Sequence, residues 1–481
     1  MKKILIVSFY ELKDYLLYIK ELFEQYNFTV ISYPLFRYAY DSNDKLDNYK
    51  EHMNDFIKEN NPDIILWWFI DVPVEVFKYI KQNFKEKLFI MYNSDDPINL
   101  TKELFDKAKI FDIVITPCKE TIHMYKLYSG CKVIMFGPMG YDPNLFKEIT
   151  DTKDFQSEYD EFNCDISMLF YNMFLDKSYY PTQVVYKKDL IDTVVTYCTK
   201  NGIKLKLYGT PAIKEFFPQY YCGEVPYYKL NFLFNFSKIN IISSPYREKS
   251  LLINEYMFSI LGSGGLLMLD KTKDIETYLT NNQNCIMYDG RDFLAKINTI
   301  LNNYNNYGNV KKKGLEFAKS NTWDMWVENL VKEIGKLTFD KKLYAELYGL
   351  DINKDLLAHW LNEGIKKKEI CYDFDVPDNF SHEDYIANSK IKDHPKFAYM
   401  HWFMNSKSSS YLKKSGKNNI NFVPSNYGIV MEDLYSVGKI LNEITKYNTR
   451  DQGLKDLNNF CEKIPYIKIN EIVDYYIKTV F

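Results

Sequence analysis

A predicted buried strand reads Asp63-Ile64-Ile65-Leu66-Trp67-Trp68, and both of its faces are apolar. Such a strand is typical of the centre of a parallel sheet, where helices cover both faces. The amphipathic stretch Val74–Asn83 follows as a predicted helix, and Lys87–Tyr92 is the next predicted strand. The alternation begins at the apolar run Ile4–Val7 and continues to about residue 150. Alternating strands and helices predict an α/β fold with a doubly wound parallel sheet.

The alternation of strands and helices restarts near Asp165. The strands predicted there are Ile166–Phe170, Lys204–Tyr208 and Ile239–Ser243. Two such units in one chain predict two Rossmann-like lobes that face a cleft. Ligands of open α/β sheets bind outside the carboxyl ends of the strands, so the loops that follow strands are the candidate site. The predicted lobes and the region after them are residues 1–150, 151–335 and 336–481.

The region after residue 335 lacks the alternation and is predicted to be a mainly helical accessory region. In it His359-Trp360 recurs as His401-Trp402, with the tyrosines Tyr348 and Tyr385 upstream. This weak echo predicts two copies of a small helical unit. The histidine spacing fits no zinc template, so we expect no metal there. We also expect a chain that ends near residue 336 to retain nucleotide binding.

Composition excludes several classes of function. The 481 residues carry 61 basic and 64 acidic side chains, so the chain lacks the basic field that a non-specific nucleic-acid binder needs. The apolar run Ile64–Ile70 is far shorter than the roughly 20 residues that span a bilayer. The eight cysteines show no paired spacing, as in a reducing compartment. We expect a soluble cytoplasmic protein without a transmembrane segment or a nucleic-acid partner.

The densest set of candidate binding residues lies between Ile241 and Asp270. The turn Gly262-Ser263-Gly264-Gly265 follows a predicted helix and precedes a predicted strand, which is the place of a C-cap and not of a phosphate-binding loop. The other end of that helix, Asn254-Glu255, follows a strand and therefore faces the cleft. Its amides favour an anion, and a carboxylate there can accept two ribose hydroxyls.

Positive charge for a diphosphate is available in the loop before that helix. Arg247 and Lys249 lie in this loop, after the predicted strand Ile239–Ser243. Basic side chains form strong charge-assisted hydrogen bonds with phosphate oxygens. The alternative for the same residues is a helix-capping pair beside ordinary surface charges.

The order of these motifs resembles a known family. Asn254-Glu255, the segment Ile260–Leu267 and Asp270 are similar to motifs of the CgeB-like (spore-maturation-type) glycosyltransferases, GT-B enzymes of low-GC bacteria and giant DNA viruses. The resemblance covers about residues 1–335. Further matching segments are Asp95-Asp96-Pro97, Tyr171-Asn172, Tyr208-Gly209, Tyr221–Tyr227 and Asn321-Thr322-Trp323.

The resemblance implies a nucleotide-sugar donor that is bound mainly by the second lobe. It implies that Glu255 holds the ribose and that Gly223–Tyr227 flanks the base. The chain departs from many relatives at Tyr256, where they carry arginine after Asn-Glu. Because GT-B sites neutralise the leaving diphosphate with helix N-termini and basic side chains, we expect neither a metal nor a cofactor. The predicted donor-binding residues are Asn172, Tyr208, Gly209, Gly223, Val225, Tyr227, Arg247, Lys249, Asn254 and Glu255.

The first lobe offers two adjacent carboxylates, Asp95 and Asp96, directly after the predicted strand Lys87–Tyr92. A carboxylate at this place can orient an acceptor hydroxyl or act as its general base. Adjacent side chains need not point the same way, and one of the two is expected to serve as a turn or N-cap residue. Asp95 and Asp96 are therefore the candidate catalytic residues.

The predicted function is that of a metal-independent, hexosyltransferase-like enzyme. It would transfer a sugar from a nucleoside diphosphate sugar to a hydroxyl or amine of a glycan, protein or small molecule. The alternative is a GT-B-shaped glycan-binding or scaffold protein without catalysis, which Tyr256 favours. A Rossmann dehydrogenase is disfavoured because the first strand continues into Ser8-Phe9-Tyr10-Glu11 without a GxGxxG turn.

Overall fold

The computed structural model describes the chain over residues 2–35, 46–96, 100–170, 181–242, 255–272, 275–290, 292–376, 380–389 and 394–405. The strands of these ranges are β1 (Lys3–Ser8), β2 (Thr29–Pro34), β3 (Ile64–Trp67), β4 (Leu88–Tyr92), β5 (Ile113–Thr116), β6 (Val133–Phe136), β7 (Cys164–Phe170), β8 (Leu205–Gly209), β9 (Ser237–Ile242), β10 (Leu267–Asp270) and β11 (Ile286–Tyr288).

Helices follow most of these strands and cover the sheets. The α-helices are α1 (Tyr15–Gln25), α2 (Leu46–Asn60), α3 (Val74–Asn83), α4 (Lys102–Ala108), α5 (Thr121–Tyr128), α6 (Gln156–Phe162), α7 (Pro181–Asn201), α8 (Ala212–Phe216), α9 (Leu230–Phe236), α10 (Glu255–Gly262), α11 (Phe293–Asn302), α12 (Gly308–Ala318), α13 (Trp323–Thr338), α14 (Lys341–Tyr348), α15 (Leu356–His359), α16 (His382–Ser389) and α17 (Pro395–Asn405). None of these helices is long and apolar enough to cross a bilayer.

The first sheet has six parallel strands in the order β2-β1-β3-β4-β5-β6. The central strand β3 is buried on both faces, as its composition predicts. Ile64 and Leu66 belong to the apolar core on one face, whereas Ile65 and Trp67 belong to the core on the other. This period of two explains why every residue of β3 is apolar.

The second sheet has five parallel strands in the order β11-β10-β9-β7-β8. It too is covered on both faces: Met268 of β10 packs in one core, and Leu267 and Leu269 pack in the other. The prediction of two doubly wound α/β lobes is therefore confirmed.

The carboxyl edges of the two sheets face each other, and we call the region between them the crevice. Tyr15, which follows β1, lies 6.3 Å from Tyr227, which follows β8 (ring centroids). Lys119, which follows β5, places its Nζ 4.7 Å from the ring centroid of Tyr278, which follows β10. Both contacts join a loop at the carboxyl edge of one sheet to the same edge of the other, which is the arrangement expected for the cleft.

The last helix of the second lobe, α13, runs back to the first lobe. Its Trp326 ring lies 5.4 Å from the rings of both Trp68 and Tyr92. The hydroxyl of Tyr18 on α1 donates to Asp324 of the same helix at 2.9 Å. The boundary predicted at residue 335 lies inside α13, whose buried side chains belong to the core that the first lobe shares with the accessory region.

The segment after α13 packs against the first lobe. The Tyr372 hydroxyl donates to the carbonyl oxygen of Asn27 at 3.2 Å, and the Tyr372 ring lies 5.2 Å from that of Phe28. Lys368 Nζ donates to Gln25 at 2.6 Å. Trp360 and Trp402 belong to the same core cluster as Ile4 of β1. The described part of the accessory region therefore shares a hydrophobic core with the first lobe.

The two segments that echo each other in sequence make the same contacts. The Tyr344 hydroxyl lies 3.1 Å from His359 Nδ1, and the Tyr385 hydroxyl lies 2.9 Å from His401 Nδ1. The ring planes of the two pairs meet at 53° and 51°. Tyr344, and not Tyr348, is thus the counterpart of Tyr385. The Tyr348 hydroxyl instead accepts from the backbone N–H of Ile370.

Candidate functional site

The strand order reverses at one point in each sheet, and these points locate the crevice. β1 lies between β2 and β3, and β7 lies between β8 and β9. Ligands of doubly wound sheets bind at such switch points, beyond the carboxyl ends. In the second lobe the loops after β7 and β9 contain four of the predicted donor-binding residues. All four lie outside the described residues: Asn172, Arg247, Lys249 and Asn254.

The backbone of Glu255 lies at the crevice edge of the second sheet. Helix α10 begins at Glu255 and follows β9, so its N-terminus lies at the carboxyl ends of the strands. Met257 and Phe258 anchor the helix in the core of the lobe. The first N–H groups of a helix have no partner within it and carry partial positive charge. Helix α10 therefore directs anion-binding amides toward the crevice.

The glycine-rich turn lies at the opposite end of α10, away from the crevice. The N–H of Gly265 donates to the carbonyl of Ile260 at 2.9 Å, and the N–H of Gly264 donates to Leu261 at 3.0 Å. With Gly264 at φ 70°, this is the Schellman arrangement of a helix C-terminus. The prediction that these glycines form a C-cap turn is confirmed.

Gly209 is the last residue of β8 and lies where any side chain would collide with the backbone of β7. Its φ is 129°, and a Cβ placed there would lie 1.8 Å from the carbonyl oxygen of Phe170 on β7. Its N–H donates to the carbonyl of Gly223 at 3.0 Å, and its own carbonyl accepts from the Tyr221 hydroxyl at 2.9 Å. Gly209 and Gly223 are therefore brought together at the crevice edge.

The segment Gly223–Tyr227 continues from this contact along the second lobe. Val225 is buried in the lobe core. The half-buried ring of Tyr227 packs edge-on against Phe146 at 5.4 Å and lies beside Tyr15 of the first lobe. Gly223 has open space around its Cα, since no atom lies within 4 Å of a Cβ placed there. The segment thus presents backbone and one aromatic ring to the crevice.

Tyr208 occupies a different environment from its neighbour Gly209. Its side chain is buried in the second lobe core, with its ring 6.0 Å from that of Phe162. Burial raises the pKa of the Tyr208 hydroxyl far above its ordinary value. Within the described ranges that hydroxyl has no hydrogen-bond partner. The Tyr208 side chain contributes to the core, and a part in donor binding stays a prediction.

The structure separates the two first-lobe carboxylates, Asp95 and Asp96. Both follow β4, but Asp95 is exposed whereas Asp96 is fully buried. Asp96 accepts a hydrogen bond from the hydroxyl of Thr121 at 3.0 Å, and that hydroxyl lies 2.8 Å from the hydroxyl of Thr116. Asp96 therefore ties its loop to the end of β5 and to the start of α5.

The pKa values of both carboxylates are raised above their ordinary value. The pKa of Asp95 is raised, first by desolvation from the protein that surrounds its loop and then by the negative charge of Asp71. Asp71 follows β3, the strand next to β4, and is also exposed. The pKa of Asp96 is raised to about 6, mainly because the carboxyl is buried. Of the two candidates, Asp95 is the one that a substrate can reach; a catalytic role for either stays a prediction.

Lys119 and Tyr278 are interlobe residues that sequence reasoning does not find. The Lys119 ammonium lies 4.7 Å from the Tyr278 centroid and 5.1 Å from that of Phe136. A cation over an aromatic face is worth roughly 0.5–1 kcal/mol at an exposed site. No local pattern marks these residues, because the contact depends on how the lobes meet.

No metal site is evident in the part of the chain that the structure describes. There, no three His, Cys, Asp or Glu side chains are grouped so that they could hold an ion. Three histidines of the accessory region have other partners: His359 and His401 pair with tyrosines, and His394 lies 3.6 Å from Glu346. Metal independence itself stays a prediction.

The sequence matches one known family over part of its length. Residues 188–332 match the model of a family described as glycosyl transferase-like. The matched stretch begins in α7, includes β8 to β11 and ends in α13. A comparison with curated protein sequences finds no match.

Solved structures with the same architecture cover most of the chain. Sucrose-phosphate synthase from Thermosynechococcus elongatus is 12% identical, with a TM-score of 0.51 over 70% of this chain and 99% of that one. Anabaena HepE in complex with UDP-glucose is 12% identical, with a TM-score of 0.51 over 70% and 100%. A glycosyltransferase from Rickettsia africae gives 12% and 0.51 over 70% and 98%. These likenesses identify the fold as GT-B, as predicted.

Proposed function

We propose that this protein transfers a glycosyl unit from a nucleoside diphosphate sugar to an acceptor hydroxyl or amine. The match of residues 188–332 to a glycosyl transferase-like family carries the proposal. That stretch contains Gly209, Gly223–Tyr227 and the start of α10, which form the described crevice edge of the second lobe. The GT-B fold, with two sheets facing a crevice, supports the same function.

The donor is assigned to the second lobe. The amides at the start of α10 and the carboxylate of Glu255 suit a diphosphate and a ribose, respectively. Gly223–Tyr227 would flank the base, and Arg247 with Lys249 would add positive charge. The complex of Anabaena HepE with UDP-glucose supports a nucleotide sugar as donor, because the two chains share the fold. CgeB-like membership is part of this proposal and rests on the motifs quoted above.

The acceptor is assigned to the first lobe, with Asp95 as general base. Asp95 would take the proton of the acceptor hydroxyl as the acceptor oxygen bonds to the anomeric carbon and the nucleoside diphosphate leaves. Because the pKa of Asp95 is raised, the reaction rate should begin to fall on the acid side at a pH above the ordinary pKa of a carboxylate. Contacts such as Lys119 with Tyr278 would close the crevice and exclude water.

Replacement of Asp95 tests the catalytic assignment. We expect Asp95→Asn to lower kcat by about 10²- to 10⁴-fold and to leave nucleotide binding unchanged, because only proton transfer is lost. The measurement is release of nucleoside diphosphate from a panel of nucleotide sugars with mixed acceptors. The matched control is Asp106→Asn, a half-buried carboxylate on α4 that pairs with Lys109 at 2.7 Å. Equal turnover in both variants would contradict the role of Asp95.

A second function, binding without catalysis, is favoured by one observation. Tyr256 takes the place of the arginine of many relatives, and its ring packs toward the lobe core, 6.4 Å from Phe234. A protein that binds glycans but lacks a cation at this position would bind nucleotides weakly or not at all. A donor titration separates the two functions.

A further inference from the structure

A second recess, separate from the crevice, lies beside the turn that ends α10. It lies between α12 and that turn, and its volume is about 320 Å³. This volume is within the range of roughly 300–1,000 Å³ that is typical of small-molecule sites. We call it the lysine groove, because Lys311, Lys312 and Lys319 line it. None of the described residues that were assigned to the donor or the acceptor lines this groove.

One face of helix α12, together with the residue after it, forms the first wall of the lysine groove. The residues of this wall recur at intervals of three and four, as residues on one side of a helix do: Gly308, Lys311, Lys312, Leu315, Glu316 and Lys319. The opposite face, with Val310, Gly314 and Ala318, is buried. A Cβ at Gly314 would lie 2.8 Å from the carbonyl oxygen of Asn284, so α12 packs tightly on the lobe. The charges of this wall therefore project from a fixed backbone.

The second wall of the lysine groove carries Glu148, whose backbone is fixed on both sides. The N–H groups of the residues before and after it donate to the side chains of Asn231 and Asn235 on α9, at 3.0 and 2.8 Å. The Glu148 side chain lies against the turn after α10, since a Cβ at Gly264 would be 3.2 Å from its Cγ. Glu148 thus lines the groove from a preorganised position.

The charges of the lysine groove do not neutralise one another. Glu316 lies four residues after Lys312 and three before Lys319, which are spacings at which ion pairs form along a helix. Within the part of the chain that the structure describes, neither pair forms. The Lys311 ammonium lies 5.9 Å from the ring centroid of Tyr304, near the limit of a cation–π contact. The groove therefore keeps ammonium groups that an anion can reach.

This distribution of charge selects among ligand chemistries. The ammonium groups attract a phosphate, which lysine commonly binds as a point charge. Glu148 and Glu316 repel a ligand that is anionic throughout, and they require hydrogen-bond donors beside the phosphate. No aromatic side chain of the described residues lines the groove, so a nucleobase would find no ring on which to stack. A sugar phosphate meets these requirements, because it carries an anionic group and several hydroxyl donors.

We propose that the lysine groove binds a phosphorylated saccharide, with its phosphate held by Lys311 and Lys312 and its hydroxyls bound by Glu148 and Glu316. Lys319 lies seven residues beyond Lys312, which is roughly 10 Å along a helix, so it would meet a second phosphate at the other end of the sugar. The inference goes beyond the proposed function and does not depend on it, since the groove and the crevice lie at opposite ends of α10.

Calorimetric titration of the full chain tests the site. The probes are glucose 6-phosphate and fructose 1,6-bisphosphate, compared with glucose, inorganic phosphate and phosphoethanolamine. We expect both sugar phosphates to bind, the bisphosphate more tightly, and the three comparison compounds to bind at least tenfold more weakly. The double variant Lys311→Gln, Lys312→Gln should weaken sugar-phosphate binding at least tenfold, and Glu148→Gln should weaken it three- to tenfold.

The matched control changes another adjacent pair of lysines, Lys366→Gln with Lys367→Gln. Both side chains are exposed, so this variant loses the same charge at a different place. It should bind sugar phosphates as the wild type does, and so should Glu255→Ala, whose change lies at the donor site. No binding of either sugar phosphate, equally tight binding of phosphate or phosphoethanolamine, or equal affinity in the two double variants would overturn the proposal. A parallel UDP titration concerns the donor assignment alone, so the two proposals can fail separately.

Discussion

Asp96 is a fully buried carboxyl within a small network of hydroxyl groups. Thr121 donates to it, and the backbone N–H of Cys118 donates to the hydroxyl of Thr116 at 3.0 Å. Its Oδ1 has no partner among the described residues. The network holds the loop that carries Asp95 against β5, so Asp96 is a positioning residue that acts through its neighbour. Its ionisation should have a cost for the folded state, because a buried charge is poorly solvated.

The first prediction concerns the pH dependence of stability. The pKa of Asp96 in the folded protein is about 6, above its ordinary value of 3.8, so between these pH values the folded state binds more protons than the unfolded one. The free energy of unfolding of the wild type should therefore fall as pH rises from 4 to 6. Asp96→Asn removes this dependence. The free energy of unfolding of the variant, relative to that of the wild type, should therefore rise by about 1–3 kcal/mol between pH 4 and pH 6.

Urea denaturation at several pH values measures this difference. The control is Asp106→Asn, which changes a half-buried, ion-paired carboxylate of the same lobe. A stability difference between Asp96→Asn and wild type that stays constant from pH 4 to pH 8 would contradict the assignment.

At the residue level the sequence predicts candidates but not their environments. Asp95 and Asp96 are indistinguishable in sequence, and only the turn after β4 decides which one is exposed. Gly209 is recognisable as a glycine at a strand end, yet its need to avoid the Phe170 carbonyl depends on a contact between strands.

At the level of elements, the two ends of helix α10 have different surroundings. Its N-terminus at Glu255 follows β9 and faces the crevice, whereas its C-terminus turns through Gly264 into β10. An eight-residue helix with a rise of about 1.5 Å per residue keeps these ends roughly 12 Å apart. One diphosphate cannot contact both ends, so the glycines cannot take the place of Glu255.

The second prediction follows from this geometry. We expect Gly264→Ala to lower the free energy of unfolding by about 1–2 kcal/mol, because the φ of 70° is unfavourable for alanine. Nucleotide affinity should stay within twofold of wild type. The matched control is Gly202→Ala, with φ 65° and open space around it, which should cost a similar amount. A tenfold loss of nucleotide affinity in Gly264→Ala alone would show that the glycines bind phosphate.

Most elements of the two lobes could be predicted from periodicity. The strands Ile64–Trp67 and Leu88–Tyr92 lie within the predicted runs, since a buried parallel strand is apolar throughout. The short helices Gln156–Phe162 and Ala212–Phe216 were beyond prediction, because one or two turns give too few apolar repeats. Their stability comes from packing, such as Phe162 of α6 against Tyr208.

At the scale of the whole molecule, the accessory region and the first lobe share one core. Trp360 fills the space over Gly335 of α13, where a Cβ would lie 2.3 Å from its ring. Tyr372 packs against Phe28 on the same side of the sheet. These contacts join residues far apart in sequence, so the loss of strand–helix alternation after residue 335 gave no sign of them. We therefore no longer expect a chain that ends near residue 336 to fold and bind nucleotide.

The third prediction is that a chain ending at Thr338 does not fold cooperatively. It loses Trp360 and Tyr372, which removes part of the apolar packing around Phe28 and Ile334. Trp360→Ala in the full chain should cost about 3–5 kcal/mol of stability, because it leaves a cavity. Circular dichroism and limited proteolysis measure both effects. A chain ending at Lys414, the limit of the compact unit, is the control and should unfold cooperatively.

The central claim is that a nucleoside diphosphate binds where α10 meets the crevice. Calorimetric titration of the full chain with UDP, GDP, ADP and dTDP tests it most directly, followed by the same titration of Glu255→Ala and of the control Glu316→Ala, an exposed residue on α12. The account predicts that at least one nucleotide binds to the wild type and to Glu316→Ala, and at least tenfold more weakly to Glu255→Ala. Absence of binding by all four nucleotides, or equal affinity in the two variants, would contradict it.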